Sequence, residues 1–360
     1  MKLSFITAAL EEYAPLSLQE SWDNSGLQVG LPAEADGEVT GALLCVDVTE
    51  DIIAEAVRRG RNLVISHHPL IFKGLKRFTG HTVAERAVAA AIRAGVAVYS
   101  SHTALDSTRG GVSYEMARML GARVTRSLAP APTELLQLSV SCPESASDDV
   151  QLVILDNGAS KCCVASLTSS TVSADDSDGI SIGIDSTPTC KVSANLSTSA
   201  CRKVKEALAT IPGSTAFVYE TTALRNDDIT TGLGVVAEFD TPLTAAELLT
   251  MIKDRFDVPC VKAGGNFSPD TRIRRIALCG GSGGEFIPAA AAAGAQLYVS
   301  ADIRYHDFAE YASSPMAIFD IGHFESESCA KRIFYNVIKN NFANFAVDYS
   351  DIEQNPVKYL

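Results

Sequence analysis

Hydrophobic positions along the chain fall into short apolar runs separated by amphipathic stretches, a pattern that predicts alternating strands and helices. Residues 3–13 carry Leu3, Ile6 and Leu10 at helical spacing. Residues 41–46 form an unbroken apolar run, as a strand buried on both faces does, and an amphipathic helix over 50–60 follows, closed by Gly60. A second strand at 62–66, an Ala-rich helix over 82–95 ending in Gly95 and a third strand at 96–100 complete a βαβ rhythm. That rhythm predicts a largely parallel sheet, with functional groups at the strand ends.

From 127 to 229 the pattern changes. Ser, Thr and Asp cluster at 169–178, alternating strands are expected at 136–141, 191–196 and near 216–220, and a helix at 199–210. This reads as a small α+β module, with ferredoxin-like as its candidate topology. The α/β rhythm then resumes with strand 234–239, helix 244–256, strand 274–279, a glycine turn, helix 286–294, strand 296–300, strand 316–321 and a long helix 325–341. The expected fold class is therefore α/β. Two similar α/β halves, 1–126 and 230–360, form one core, and the α+β insert 127–229 interrupts it.

Composition agrees with that class, at 46% hydrophobic and 7% aromatic. A net charge of -13 argues against a broad nucleic-acid or anionic-membrane surface, because both need clustered Lys and Arg. The apolar run at the start is short and followed at once by Glu11 and Glu12, unlike a secretory leader. Nor does any stretch reach the roughly 18 to 20 apolar residues of a membrane helix. The expectation is a soluble, cytoplasmic protein. Nine Cys without a C-x-x-C pair support neither a disulfide framework nor structural zinc, and Cys45 and Cys279 read as buried hydrophobes.

The chemistry is concentrated in histidine. Five of six His fall in three polar strings at expected strand ends: Ser66-His67-His68-Pro69, Ser101 to Asp106 with His102, and Arg304 to Glu327 with His306 and His323. His67 and His68 point in different directions at the end of a strand, so each can serve a different ion; a pair of half-exposed loop histidines is the competing reading. Asp106 can ligate a cation or cap a turn. His323 and Glu327, four residues apart at a helix start, share one face, and a helix-start Glu favoured by the macrodipole is the alternative. Three imidazoles and two carboxylates suffice for two divalent ions such as Zn, Fe, Mn or Co, and a water shared by them would ionise near neutrality. Gly280-Gly281-Ser282-Gly283 lies between a strand and a helix, where backbone N–H groups can bind phosphate, or where the turn itself needs glycine.

Taken together, Trp22-Asp23-Asn24-Ser25-Gly26-Leu27, Ser66-His67-His68-Pro69, His102-Thr103-x-Leu105-Asp106, Cys279-Gly280-Gly281-Ser282-Gly283 and Gly322-His323-Phe324-Glu325-Ser326-Glu327 resemble the Nif-three-like family, the GTP cyclohydrolase 1 type 2 homologues. The resemblance covers about 1–126 and 230–360. It implies a toroidal homohexamer with dinuclear metal sites facing an inner cavity. It assigns His68 and Asp106 to one ion and His67 and His323 to the other, with Glu327 bridging, and places His102 and His306 in the pocket lining. Long members carry an insert similar to trimeric nitrogen-regulatory and divalent-cation-tolerance proteins; residues 127–229 occupy that place without the His-Pro-Tyr-Glu-Glu-like string usual there.

Two functions follow as expectations. The first is a metal-dependent hydrolase acting on a nucleotide or phosphoester, with Glu325, His306 or His102 moving protons and the glycine turn holding phosphate. The second is a non-catalytic hexamer that stores or delivers metal, or serves as a regulatory scaffold.

Overall fold

The computed structural model describes residues 1–32, 37–159, 161–167, 170–174, 180–184 and 189–360. Ser169 and residues 175–178 of the polar cluster expected at 169–178 lie outside the described residues. The chain divides into two compact units, one of Met1–Ala131 with Ile229–Leu360, the other of Pro132–Asp228.

In the larger unit, strands Gly41–Cys45, Leu63–Ser66 and Ala97–Ser100 lie side by side and parallel. Gly26–Val29 joins antiparallel beyond the last of them, and Ala346–Tyr349 pairs parallel with the first. The crossover helices are Glu50–Arg58 and Val83–Ala94, each started by a Thr side chain that accepts a backbone N–H of the first turn. Gly95, at φ 64°, ends the second helix in the left-handed conformation that favours glycine.

The second half repeats this layout. Arg272–Ser282, Leu297–Ala301 and Ala317–Asp320 lie parallel in chain order, and Lys262–Gly265 again joins antiparallel beyond the third. In both halves a strand that precedes the parallel trio in sequence closes its far edge.

Strand alternation distributes the core. Ala42, Leu44, Leu63, Ile65 and Tyr99 face one large cluster, shared with Ile276, Leu278, Val299 and Phe319 of the second sheet and with Ile6, Met116, Leu248 and Phe334 from helices. Leu43, Cys45, Val64 and Val98 face the other way, against Ile52, Ile53 and Val88. Both faces of the sheet are therefore covered, which is why its strands read as continuous apolar runs.

The smaller unit has its own core of Leu138, Val140, Val150, Ile154, Val192, Leu196, Val204 and Leu208. In it Thr189–Ser197 pairs antiparallel with 135–143 and with Cys163–Leu167, beside helices Ser147–Asp156 and Thr198–Leu208. Among the described residues no helix is long and apolar enough to cross a membrane.

One element departs from expectation. The single helix read over 325–341 is two, His323–Glu327 and Ala330–Asn341. Ser326 Oγ donates to the His323 carbonyl at 2.8 Å and Ser328 Oγ to the Phe324 carbonyl at 2.7 Å, so hydroxyls satisfy carbonyls at the point where the helix breaks.

Candidate metal centre

Four imidazoles meet beyond the strand ends. His67 and His68 leave Leu63–Ser66; His67 is fully buried, and their rings lie 5.2 Å apart. His102 follows Ala97–Ser100, with its ring 5.4 Å from His67 and 5.5 Å from His68. His323 starts the short helix after Ala317–Asp320, 5.3 Å from His68. Gly322, at φ 90°, makes that strand-to-helix turn possible, and a Cβ there would overlap the Glu325 carboxylate.

Each ring is tied from behind through Nδ1. That atom lies 2.9 Å from the Ser101 carbonyl in His67, 2.8 Å from Asp47 Oδ1 in His68, 2.9 Å from Asp23 Oδ1 in His102 and 2.7 Å from Asp302 Oδ2 in His323. Such acceptors fix the tautomer and leave Nε2 as a lone-pair donor on the other side of the ring. Sequence reasoning missed Asp23, Asp47 and Asp302 in these roles. Two of them carried a readable signal: Asp47 and Asp302 follow parallel strands just as Asp106 does. Asp302 sits at φ 53°, a left-handed position that Asp tolerates better than most residues.

The Nε2 atoms converge on Glu327. Its Oε2 is 2.8 Å from His68 Nε2 and 3.0 Å from His323 Nε2, and its Oε1 is 3.6 Å from His67 Nε2. His67 Nε2 is also 3.6 Å from Asp106 Oδ1. These two buried atoms, His67 Nε2 and Asp106 Oδ1, have no hydrogen-bond partner. Buried polar atoms are nearly always satisfied, so facing lone pairs left unpaired fit a cation between them. Among the described residues, His67, His68 and Glu327 form a group compact enough to hold a metal ion.

The contacts group these side chains differently from the resemblance. The resemblance couples His68 with Asp106 and His67 with His323, whereas the side chains set His67 beside Asp106 and His68 beside His323, with one Glu327 oxygen toward each pair.

Electrostatics follow from this crowding. Burial raises the Asp106 carboxyl, and with Glu327 nearby it reaches about 7 although His67 opposes the rise. Burial would raise Glu327 too, but His67, His323 and His68 outweigh it and hold the carboxyl well below the usual range. Burial disfavours a charged His68, yet its bonds to Asp47 and Glu327 push it up to about 10; His323 is raised to about 9 against the same penalty by Glu327 and Asp302.

The glycine run makes a close turn, the second of its two readings, with Gly281 at φ 64°. The N–H groups of Gly280, Gly281 and Gly283 donate to Ser113 Oγ, Ser326 Oγ and the Ala301 carbonyl, at 3.2, 2.9 and 3.3 Å, and Ser282 pairs with Ala301 in the sheet. The three glycine amides are therefore committed within the protein. What the run supplies is room: a Cβ on Gly281 would lie 2.1 Å from Glu327 Oε1.

Of the expected proton carriers, His102 adjoins the cluster. Glu325 lines a cavity of about 470 Å³ together with His68, His323, Asp47 and Asp302, but one of its oxygens accepts from Asn355 Nδ2 at 2.8 Å. Burial and that Glu325 carboxylate push the Tyr359 phenol up to about 12. His306 is exposed on Tyr305–Glu310 with its ring against Tyr305, and none of the cluster contacts described above involves it.

The family described as Duf34/NIF3 (NGG1p interacting factor 3) matches residues 1–356. The chain belongs to this family. A protein of Halalkalibacterium halodurans named GTP cyclohydrolase 1 type 2 homolog is 30% identical over 87% of this chain and 86% of its own length. A Staphylococcus aureus protein of the same name is 26% identical with both chains fully covered. Among solved structures, a Bacillus cereus protein related to NIF3 superposes with a TM-score of 0.79 at 25% identity, covering 100% of this chain and 99% of that one. A Staphylococcus aureus protein reaches 0.83 at 24% identity with the same coverage.

Proposed function

We propose that this chain of the Duf34/NIF3 family holds two divalent ions, His67 with Asp106 binding one and His68 with His323 the other, Glu327 being shared. The observation that carries this is the pair of unpartnered buried atoms, His67 Nε2 and Asp106 Oδ1, facing each other beside a carboxylate already contacted by two imidazoles. Ions of this kind supply Lewis acidity and a water acidic enough to act near neutral pH.

The reaction proposed is hydrolysis of a nucleotide or phosphoester. The printed names of the relatives support a nucleotide. Around the ions the chain's own residues would position and protonate. Asp23 holds the His102 Nδ1 proton, so His102 Nε2 is the atom that can exchange a proton with substrate. Glu325, on the wall of the adjoining cavity, is the second candidate carrier. The family resemblance also supports a homohexamer, which native mass spectrometry tests.

The test combines metal content with turnover. Protein purified without chelators should carry about two ions per chain, and Asp106→Ala should lose at least one. Loaded protein should turn over GTP or a member of a phosphoester panel, with Asp106→Ala inactive. Metal content below one ion per chain overturns the cluster. Full metal content, no turnover and rapid release to chelators would overturn the hydrolase and leave delivery of metal in its place.

A further inference from the structure

The ligand set leaves the Trp22-Asp23-Asn24-Ser25 string without a use, yet the structure gives each of its first three residues a task beside the cluster. Trp22, 56% exposed, and Phe72, 45% exposed, have ring centroids 5.9 Å apart. Both meet His102, at 6.0 and 6.2 Å, with near-perpendicular rings. The three rings make a triangle one imidazole away from His67 and His68.

The triangle is held in place by hydrogen bonds. Asp23 Oδ2 accepts from the Thr103 amide at 3.0 Å and Oδ1 sits on His102 Nδ1, so residue 23 fixes the histidine. Asn24 Nδ2 donates to the Ile71 carbonyl at 2.6 Å, and the Ile71 amide donates to Gln28 Oε1 at 3.2 Å, so residues 24 and 28 fix the loop that presents Phe72. Large exposed rings held this way beside a candidate centre suit a ligand better than solvent.

Charge narrows the ligand further. The chain carries -13 overall, but the loop that leaves His68 and presents Phe72 also carries Lys73, Lys76 and Arg77, all exposed. Among the described residues none of the three is paired with a carboxylate. A short cationic stretch on an acidic protein, next to aromatic rings, has the composition that receives a flat anionic molecule.

We propose that Trp22, Phe72 and His102 form a collar for the planar ring of an anionic heteroaromatic substrate, whose negative group is met by Lys73, Lys76 and Arg77. This rests on the hydrolase reading and narrows its substrate to ring-bearing anions; a phosphoester without a ring lacks the collar's contribution. Rings stack on such faces without base-specific contacts, so the collar selects the class rather than the member.

Trp22 is the chain's single tryptophan, which makes the test direct. The metal-loaded full chain is titrated with guanosine 5′-monophosphate and, separately, with ribose 5-phosphate, by calorimetry and by Trp fluorescence. The nucleotide should change Trp22 fluorescence and bind about tenfold or more tightly than the ringless phosphate. Phe72→Ala should remove most of that preference with metal content unchanged, and a Lys73→Gln, Lys76→Gln, Arg77→Gln variant should weaken both probes alike. Equal affinity for the two probes, or a preference untouched by Phe72→Ala, overturns the collar. So does a Phe72→Ala chain whose only change is the native mass of its assembly, which would make the rings a subunit contact. Nucleotide binding without turnover of any substrate would instead overturn the hydrolase and leave the collar standing.

Discussion

Replacing Gly281 with Ala should disable the metal centre while leaving the fold in place. The residue is at φ 64°, where an L side chain costs about 1–2 kcal/mol. The larger effect is local. The new Cβ would sit 2.1 Å from Glu327 Oε1, and ordinary contact needs roughly 3.5 Å, so the carboxylate must retreat by more than about 1 Å. Ligand distances tolerate only about 0.2 Å, and changes that merely reorient a ligand already weaken binding about 10- to 100-fold. The expected result is a metal affinity at least about 100-fold lower, read by chelator competition and elemental analysis. Melting in excess chelator should show only the strain, a loss of about 1–2 kcal/mol. Gly30→Ala, where a Cβ meets nothing within 4 Å, is the control and should match the parent in both assays. A Gly281→Ala chain that binds metal with parental affinity would refute the placement of Glu327.

Asp302→Asn, which replaces the carboxylate behind His323 with a neutral, weaker acceptor, should weaken metal binding by about 10- to 100-fold with little change in chelator-treated melting; an unchanged affinity would show that the charge of Asp302 is incidental. Metal uptake at pH 7 should release protons, because His68 at about 10 and His323 at about 9 hold them in the metal-free protein; calorimetry in buffers of different ionisation enthalpy should find about two or more per chain, and zero would contradict these ligands. The Glu85 carboxylate accepts from the amides of Thr79, Gly80 and His81 and from Thr79 Oγ1, bonds that lower it to about 2. Its folded value lies below its unfolded one, so its contribution is present above about pH 4.5 and is lost as pH falls toward about 2. Glu85→Gln should flatten the acid limb of stability against pH over that window, as measured by denaturant titration, and an unaltered limb would refute the assignment.

Much of the core was legible because its strands are buried on both faces and read as unbroken apolar runs, as at Gly41–Cys45. The helix Leu3–Tyr13 was equally plain from its amphipathic spacing. Less legible was Lys262–Gly265, a partly exposed edge strand with two glycines and no apolar run. The break at Ser328 was hidden for a different reason: it depends on hydroxyls bonding to carbonyls, which leaves no periodic trace. At the site, paired residues such as His67-His68 and His323 with Glu327 announce themselves by spacing. Asp47 and Asp302 are marked only by following a strand, and Asp23 acquires meaning only once the His102 ring it supports has been placed in space. The glycine run stayed ambiguous because two uses of glycine, exposing amides and making room, look identical in sequence.

The repeated layout of the two halves has a mechanical consequence. His68 and Glu327 stand 259 positions apart in the chain and 2.8 Å apart in space, so an ion gripping both acts as a removable covalent-like staple between the first and second halves. Were it to persist in the unfolded chain, the loop-closure relation used for disulfides would assign it about 5.5 kcal/mol. A chelator would then behave toward this protein as a reductant does toward a cystine-bridged one, opening a closure across 259 positions in a single chemical step.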